Sequence, residues 1–392
     1  MKIVYVEPAG KGGMIHYAFQ MCRAMAREGA DVTLLTERNY ELAELPHPFR
    51  VETSIDLWDP KPSGRQSSAP WAVAFRKLRR VGRALRYYRQ WLQLVRRVGQ
   101  IDPDVVILGD IRFPFDLFPL MLLRRKARRF IDVCHNVHPY STGGAAAGLF
   151  DRSRWRETFY RRIYRLFDRV FVHFERNRNE FLQSFGVPAE RVDVIVHANE
   201  EIFRDLAKPG FTAADLRARY GIPADEQVVL FFGTLSKYKG IDVLLQAFPA
   251  STGARLVIAG FPSPDFDLRA HQTDAKHVTW VPEYIDSGEV AAWMELASVI
   301  VFPYRDIYQS GALHVAQVFG VPTIASAVGA MQDVIEHEVS GLLVKPEDVS
   351  ALRDAITRLL TDRPFAEKLG ARFAEDAQGP FSWRTVARKI LS

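Results

Sequence analysis

Cysteine is scarce: Cys22 and Cys134 are the two in 392 residues. That is too few for the disulfide framework of a secreted scaffold, and it fits a reducing compartment. Long apolar runs are missing as well. No stretch approaches the roughly 18–20 apolar residues of a membrane span. The start, Ile3–Val6 followed by Glu7-Pro8, has neither the charged region nor the long apolar core of a leader. The expected localisation is cytoplasmic. No zinc-finger spacing or RNA-binding aromatic motif occurs, so nucleic acid is not an expected partner. The turn Gly10-x-Gly12-Gly13 is not the dinucleotide fingerprint, so no NAD-type cofactor is expected. Asp265-x-Asp267 has a spacing that elsewhere holds Mg²⁺ or Mn²⁺, but it sits in a Pro-rich loop, and no metal is expected.

What is present is a folded chain of two domains. Hydrophobic content is 48% with 25% charged residues, and 392 residues suffice for two cores. The net charge of +6 is unevenly spread. Residues 1–200 hold 33 Lys+Arg against 22 Asp+Glu, whereas 201–392 hold 19 against 24. A basic half implies an anionic partner: a membrane surface, a nucleic acid or a phosphorylated substrate. The densest basic run is Arg76–Arg97, with nine basic residues and no acidic one. Leu78, Val81, Leu85, Tyr88, Trp91, Leu92 and Val95 recur in it at three or four. It therefore reads as an amphipathic basic helix, either packed with a solvated rim or touching anionic lipid.

In the first half, Lys2–Val6 reads as a strand, then a glycine turn leads to a helix over Met14–Glu28 with Ile15, Ala18, Phe19, Cys22 and Met25 on one face. Such a βαβ opening suits a doubly wound fold, with Gly12-Gly13 as a backbone anion or substrate nest or as a plain turn. Phe130–Cys134 is a strand delivering the chain to His135-Asn136-Val137-His138. Open α/β sheets bind ligands at the carboxyl ends of strands. An imidazole there serves as base or as hydrogen-bonding group, the alternative being a structural histidine. Ser141–Gly148 reads as a loop able to close over a site.

A linker is expected near residues 203–225. Val228–Phe232 then leads into Gly233-Thr234-Leu235-Ser236-Lys237-Tyr238-Lys239-Gly240, where two lysines at a helix start suit a diphosphate. Most informative is Pro303–Pro322. A β-branched strand over 297–302 feeds Pro303-Tyr304, a polar turn, Ser310-Gly311, an apolar helix, and Gly320-Val321-Pro322. Free amides in the first helical turn and the helix dipole favour an anion there. The plainer reading is an ordinary strand-to-helix connection capped by Ser310.

Taken together, Gly12-Gly13 before a helix, His135 after a strand, Gly233-x-Leu235-x-x-x-Lys239-Gly240, Pro303-Tyr304 with Ser310-Gly311 and Gly320-Val321-Pro322, and Gly341-Leu342-Leu343-Val344 resemble the family 4 retaining glycosyltransferases. The resemblance implies the α/β GT-B fold, two Rossmann-like domains facing across a cleft. It implies an acceptor-binding domain over 1–203, a nucleotide-sugar domain over 204–378, and a helix over 379–392 crossing back to the first. It places His135 beside the transferred sugar and makes Lys239 the cation on the diphosphate. Gly13, Gly233, Thr234, Lys237, Ser310, Gly311 and Ala312 would line the donor, and Gly12, Asn136 and His138 the acceptor. The implied reaction is metal-independent transfer of a hexose from a nucleotide diphosphate-sugar to a hydroxyl, with no cofactor; the basic half, drawn to anionic lipid, makes a lipid-linked saccharide at the cytoplasmic membrane face the expected acceptor. The alternatives are a non-catalytic GT-B binding or assembly protein and a sugar-nucleotide epimerase.

The sequence departs from the family pattern in two stretches. Ile307 and Val315 stand where the usual E-x7-E acids fall, as in a Q-S-G variant of the family. Thr234 stands where a motif arginine often follows the first glycine.

Overall fold

A computed structural model describes residues 1–55, 70–111, 113–135, 137, 154–272, 275–307 and 309–392, with side chains described from 82 and from 157 in the two helices that begin at 70 and 154. Asn136, His138 and the Ser141–Gly148 loop lie outside these residues.

Contacts divide the chain into two units, Met1–Val196 with Val386–Ser392, and His197–Thr385. The first is built on seven strands: β1 (Lys2–Glu7), β2 (Asp31–Glu37), β3 (Arg50–Ile55), β4 (Val105–Leu108), β5 (Arg129–Cys134), β6 (Arg169–Val172) and β7 (Val192–Val194). They lie in the order β3-β2-β1-β4-β5-β6-β7, and every pairing is parallel. The second has β8 (Val228–Phe232), β9 (Arg255–Ala259), β10 (Val278–Val281), β11 (Val299–Phe302), β12 (Thr323–Ser326) and β13 (Leu342–Val344). Their order is β10-β9-β8-β11-β12-β13, again all parallel.

The composition of the strands explains this topology. Sheets covered by helices on both faces need strands that are apolar on both faces, not alternating. β4 reads VVIL, β8 VVLFF and β11 VIVF, and all but Phe232 among these residues are buried. β3 is one exception. Its sequence RVETSI has a single buried residue, Ile55, as an edge strand tolerates. For the same reason it carries no apolar signal in the sequence.

Each sheet reverses its winding once. Successive strands run outward from β1 to β3 and resume on β1's other side at β4; β8 and β11 stand in the same relation. Ligands of open parallel sheets bind at such switch points, beyond the carboxyl ends of the strands.

Two readings of the sequence change here. Residues 203–225 contain the helix Ala213–Tyr220, whose Leu216 is buried, and belong to the second unit; they are not a free linker. The basic helix runs over Pro70–Ile101, longer than its charged stretch. Its buried stripe is Tyr87, Trp91, Leu94, Val95 and Val98, while Leu85 and Leu92 are exposed. The core-facing stripe is therefore turned relative to the one read from spacing. Tyr87 fixes that face by donating to buried Asp116 at 2.5 Å. Among the described residues no helix is long and apolar enough to cross a membrane.

Candidate active site

In the second unit, β8 ends at Gly233, whose φ of +123° suits glycine. The chain then forms one short turn over Lys237–Lys239 and enters the helix Ile241–Ala247 through Gly240. Gly240 also has positive φ, and a side chain there would collide with the Pro303 carbonyl. The turn after β8 is thus pressed against the loop after β11, the neighbouring strand across the switch point.

Lys239 is the chemical centre of this arrangement. It is 9% exposed, and its Nζ would lie 3.1 Å from a Cβ placed on Gly233. It sits 5.3 Å from the Tyr304 ring centre. Among the described residues no carboxylate pairs with it. Burial pushes its pKa down to about 8, so it is still mainly an ammonium at neutral pH. A buried cation without a counter-ion is costly, and an anionic ligand is what relieves the cost. Lys237 and Thr234 lie nearby in sequence, but both are exposed.

An arginine does reach this turn, from outside it. Arg305 donates to both oxygens of Asp242 at 2.9 and 2.7 Å, to Glu347 at 2.8 Å and to the Lys237 carbonyl at 2.9 Å. Its own amide donates to the Tyr238 carbonyl at 2.8 Å. Engaged with two carboxylates, it is a clamp on the turn, not a phosphate ligand. Sequence reading missed it because its partners are 42 to 68 positions away.

Across the switch point, Ser310 caps the helix Gly311–Phe319 by accepting from the Leu313 amide at 3.3 Å. Gly311 is exposed and Ala312 half-buried, so the first helical turn is open. Glu200, itself buried, adds a carboxylate oxygen 3.8 Å from where a Gly311 Cβ would stand. Ile307 and Val315 are both buried and apolar. An acid is nonetheless present at the start of this helix, from a part of the chain no motif indicated. Asp265 and Asp267, the acidic pair of the Pro-rich loop, serve locally. Asp265 accepts from the Lys237 amide, and Asp267 from the Arg269 and Ala270 amides.

In the first unit, Gly12 has φ of +83° and precedes the helix Gly13–Arg27. Its amide donates to Glu41 at 2.7 Å, and the same oxygen lies 2.9 Å from His16 Nε2. Burial alone would raise the Glu41 pKa, but the His16 and Gly12 hydrogen bonds outweigh it and hold the carboxyl below its usual range. Of the two amides at Gly12-Gly13, that of Gly12 is therefore already engaged by a carboxylate of the chain itself.

His135 follows β5. Its Nδ1 lies 3.2 Å from His173 Nε2, and the Tyr17 ring meets it edge-on at 4.4 Å. Burial pushes its pKa down to about 4, so it is neutral at physiological pH. His173 was not singled out in the sequence. The available signal is that each histidine directly follows a buried parallel strand, β5 or β6, and those strands are neighbours.

Two family models match the chain: "Glycosyltransferase Family 4" over residues 11–198 and "Glycosyl transferases group 1" over 226–362. In both stretches the chain is similar to glycosyltransferases, and over 11–198 to those of family 4. It resembles D-inositol 3-phosphate glycosyltransferase of Mycolicibacterium smegmatis, with 28% identity over 276 residues, 68% of this chain and 62% of that one. It spans 48% to 62% of the length of the curated relatives it matches. Sucrose-phosphate synthase of Thermosynechococcus elongatus superposes over 99% of this chain and 97% of its own, with TM-score 0.65 and 23% identity. HepE of Anabaena with UDP and glucose does so over 100% and 98%, with TM-score 0.67 and 17% identity. These two likenesses establish the GT-B fold.

Proposed function

We propose that this glycosyltransferase moves a hexose, with retention and without a metal, from a nucleotide diphosphate-sugar to a hydroxyl acceptor. The observation that carries the reading is Lys239, a buried ammonium with no carboxylate partner among the described residues, beside a switch point whose second loop ends in an open helix start. Departure of a nucleoside diphosphate builds negative charge on its phosphates. A fixed cation and the amides of Gly311 and Ala312, which have no partner among the described residues, stabilise that charge in a site that needs no reorganisation. HepE, of the same fold, was captured with UDP and glucose. His135, neutral and oriented by His173, takes the sugar side of the reaction, as the family resemblance implies. Arg305 positions the turn that carries Lys239. Arg305→Ala is expected to weaken nucleotide-sugar binding about tenfold with Lys239 intact. Arg305→Lys should restore only part of it, since lysine lacks the planar fork. Calorimetric titration of both variants checks this.

The lipid-linked acceptor draws support from the surface of the first unit. Phe115, Phe118 and Met121 are 43%, 59% and 44% exposed at spacings of three, beside exposed Leu85 and Leu92 of the basic helix. Tyr88 joins the two segments by donating to the Phe115 carbonyl. Exposed Arg83, Arg86, Arg89 and Arg125 accompany them. Apolar prongs with arginines suit an anionic bilayer surface. Phe118→Asp is expected to cut binding to vesicles containing anionic phospholipid about tenfold in a flotation assay, with thermal stability unchanged. Binding equal to that of the native protein would remove the membrane from the proposal.

A further inference from the structure

The first unit also holds a cavity of about 270 Å³ at the β1/β4 switch point, which the diphosphate site does not use. Met14, Asp110, Asp132, Cys134, His135 and Tyr164 are among the residues that line it. We infer that this cavity takes a neutral hydroxylated sugar ring and rejects a phosphorylated one, with Asp132 as the residue that sets the choice.

Asp132 lies on β5, is 2% exposed, and its carboxyl has no hydrogen-bond partner among the described residues. A buried polar group left unpaired is costly, so a ligand that supplies the partner gains the difference. Burial first, and the neighbouring Asp110 second, push its pKa well above the usual carboxylate range. A carboxylic acid both donates and accepts, which is the complement of a sugar hydroxyl. Neutral His135 adds a second uncharged polar group to the lining.

A phosphate fares differently. Among the described residues no lysine or arginine lines the cavity, and two carboxyl groups do. A phosphate would be desolvated there with no cation among the described lining residues to balance it. The volume is close to the lower end of ligand pockets, enough for one ring but not a nucleotide. The ring belongs either to the acceptor or to the sugar being transferred; only this choice of source rests on the transferase reading.

Cys134 provides a readout independent of turnover. It lines the same cavity, while the other cysteine, Cys22, is fully buried in the Gly13–Arg27 helix. The experiment follows alkylation of Cys134 by iodoacetamide, resolved by peptide mass spectrometry, with glucose, mannose or glucose 6-phosphate present. A neutral sugar is expected to slow the reaction at a concentration at least tenfold lower than glucose 6-phosphate requires. Asp132→Ala should raise that concentration about tenfold, while Asp132→Asn, which still donates and accepts, should stay within threefold. Protection by UDP-glucose or GDP-mannose beyond that by UDP or GDP assigns the ring to the donor, and its absence assigns it to the acceptor. Should the thiol resist the reagent, saturation-transfer NMR of the same sugars makes the same comparison. Equal protection by glucose 6-phosphate, no effect of any neutral sugar, or an unchanged response in Asp132→Ala overturns the inference. Nucleotide binding at Lys239, measured separately, tests the transferase reading.

Discussion

Lys239→Met is expected to weaken binding of the cognate nucleotide-sugar by about 10²–10³-fold, the usual cost of removing one partner of a buried charge pair. Methionine keeps the length and apolar stem of the side chain, so the turn clamped by Arg305 should remain in place and the melting temperature of the free protein should not fall. It should if anything rise, because a buried unpaired ammonium is removed. The native protein adds a pH signature. With its pKa lowered to about 8, Lys239 is charged below that pH and neutral above it. The bound diphosphate prefers the ammonium. Affinity should therefore be flat from pH 6 to about 7.5 and decline by up to tenfold per unit above 8, until the pKa of the complex is passed. A nucleotide-sugar is the right ligand for the titration, because its diphosphate does not titrate over this range. Calorimetry on both proteins reads both effects. A pH-independent affinity, or a Lys239→Met variant that binds like the native protein, removes Lys239 from the site.

His135→Ala is expected to reduce turnover by about 10²–10³-fold while leaving the binding of nucleoside diphosphate within a few-fold, since Lys239, the proposed diphosphate ligand, lies in the other unit. The imidazole is neutral because burial pushes its pKa to about 4. Protonation therefore begins to matter only as the pH falls toward 4, and the rate should not drop near 6.5 as it would for an exposed histidine. His173→Ala tests whether the 3.2 Å contact orients the ring. A loss of about tenfold in kcat without a change in KM is the expected result for a positioning residue. Turnover that survives His135→Ala within a factor of a few makes the histidine structural.

Much of this architecture was legible because parallel strands buried on both faces leave continuous apolar runs, as VVIL, VVLFF and VIVF do. The helix starts at Gly13 and Gly311 were legible from glycine and serine at the turn. The edge strand β3 was not, because an exposed strand lacks that signal. Lys239 could be named from its glycine-bounded turn, but its burial and lack of a carboxylate partner could not. The contributions of Arg305, Glu200 and His173 were hidden for one physical reason. Each acts through a partner distant in sequence, which only the folded chain brings near. Gly12 shows the converse: its turn was read correctly, yet Glu41 from another loop already takes its amide.

The most direct test of the central claim is thermal unfolding with UDP, GDP, ADP and their hexose conjugates, in a chelator and without added metal. A ligand that binds only the folded state at a hundred times its Kd adds about 2.7 kcal/mol. For units of this size that corresponds to a rise of several degrees. The expected result is a selective rise with one nucleotide and its sugar conjugate, lost in Lys239→Met. A folded native protein whose melting temperature responds to none of them in the chelator contradicts metal-independent donor binding.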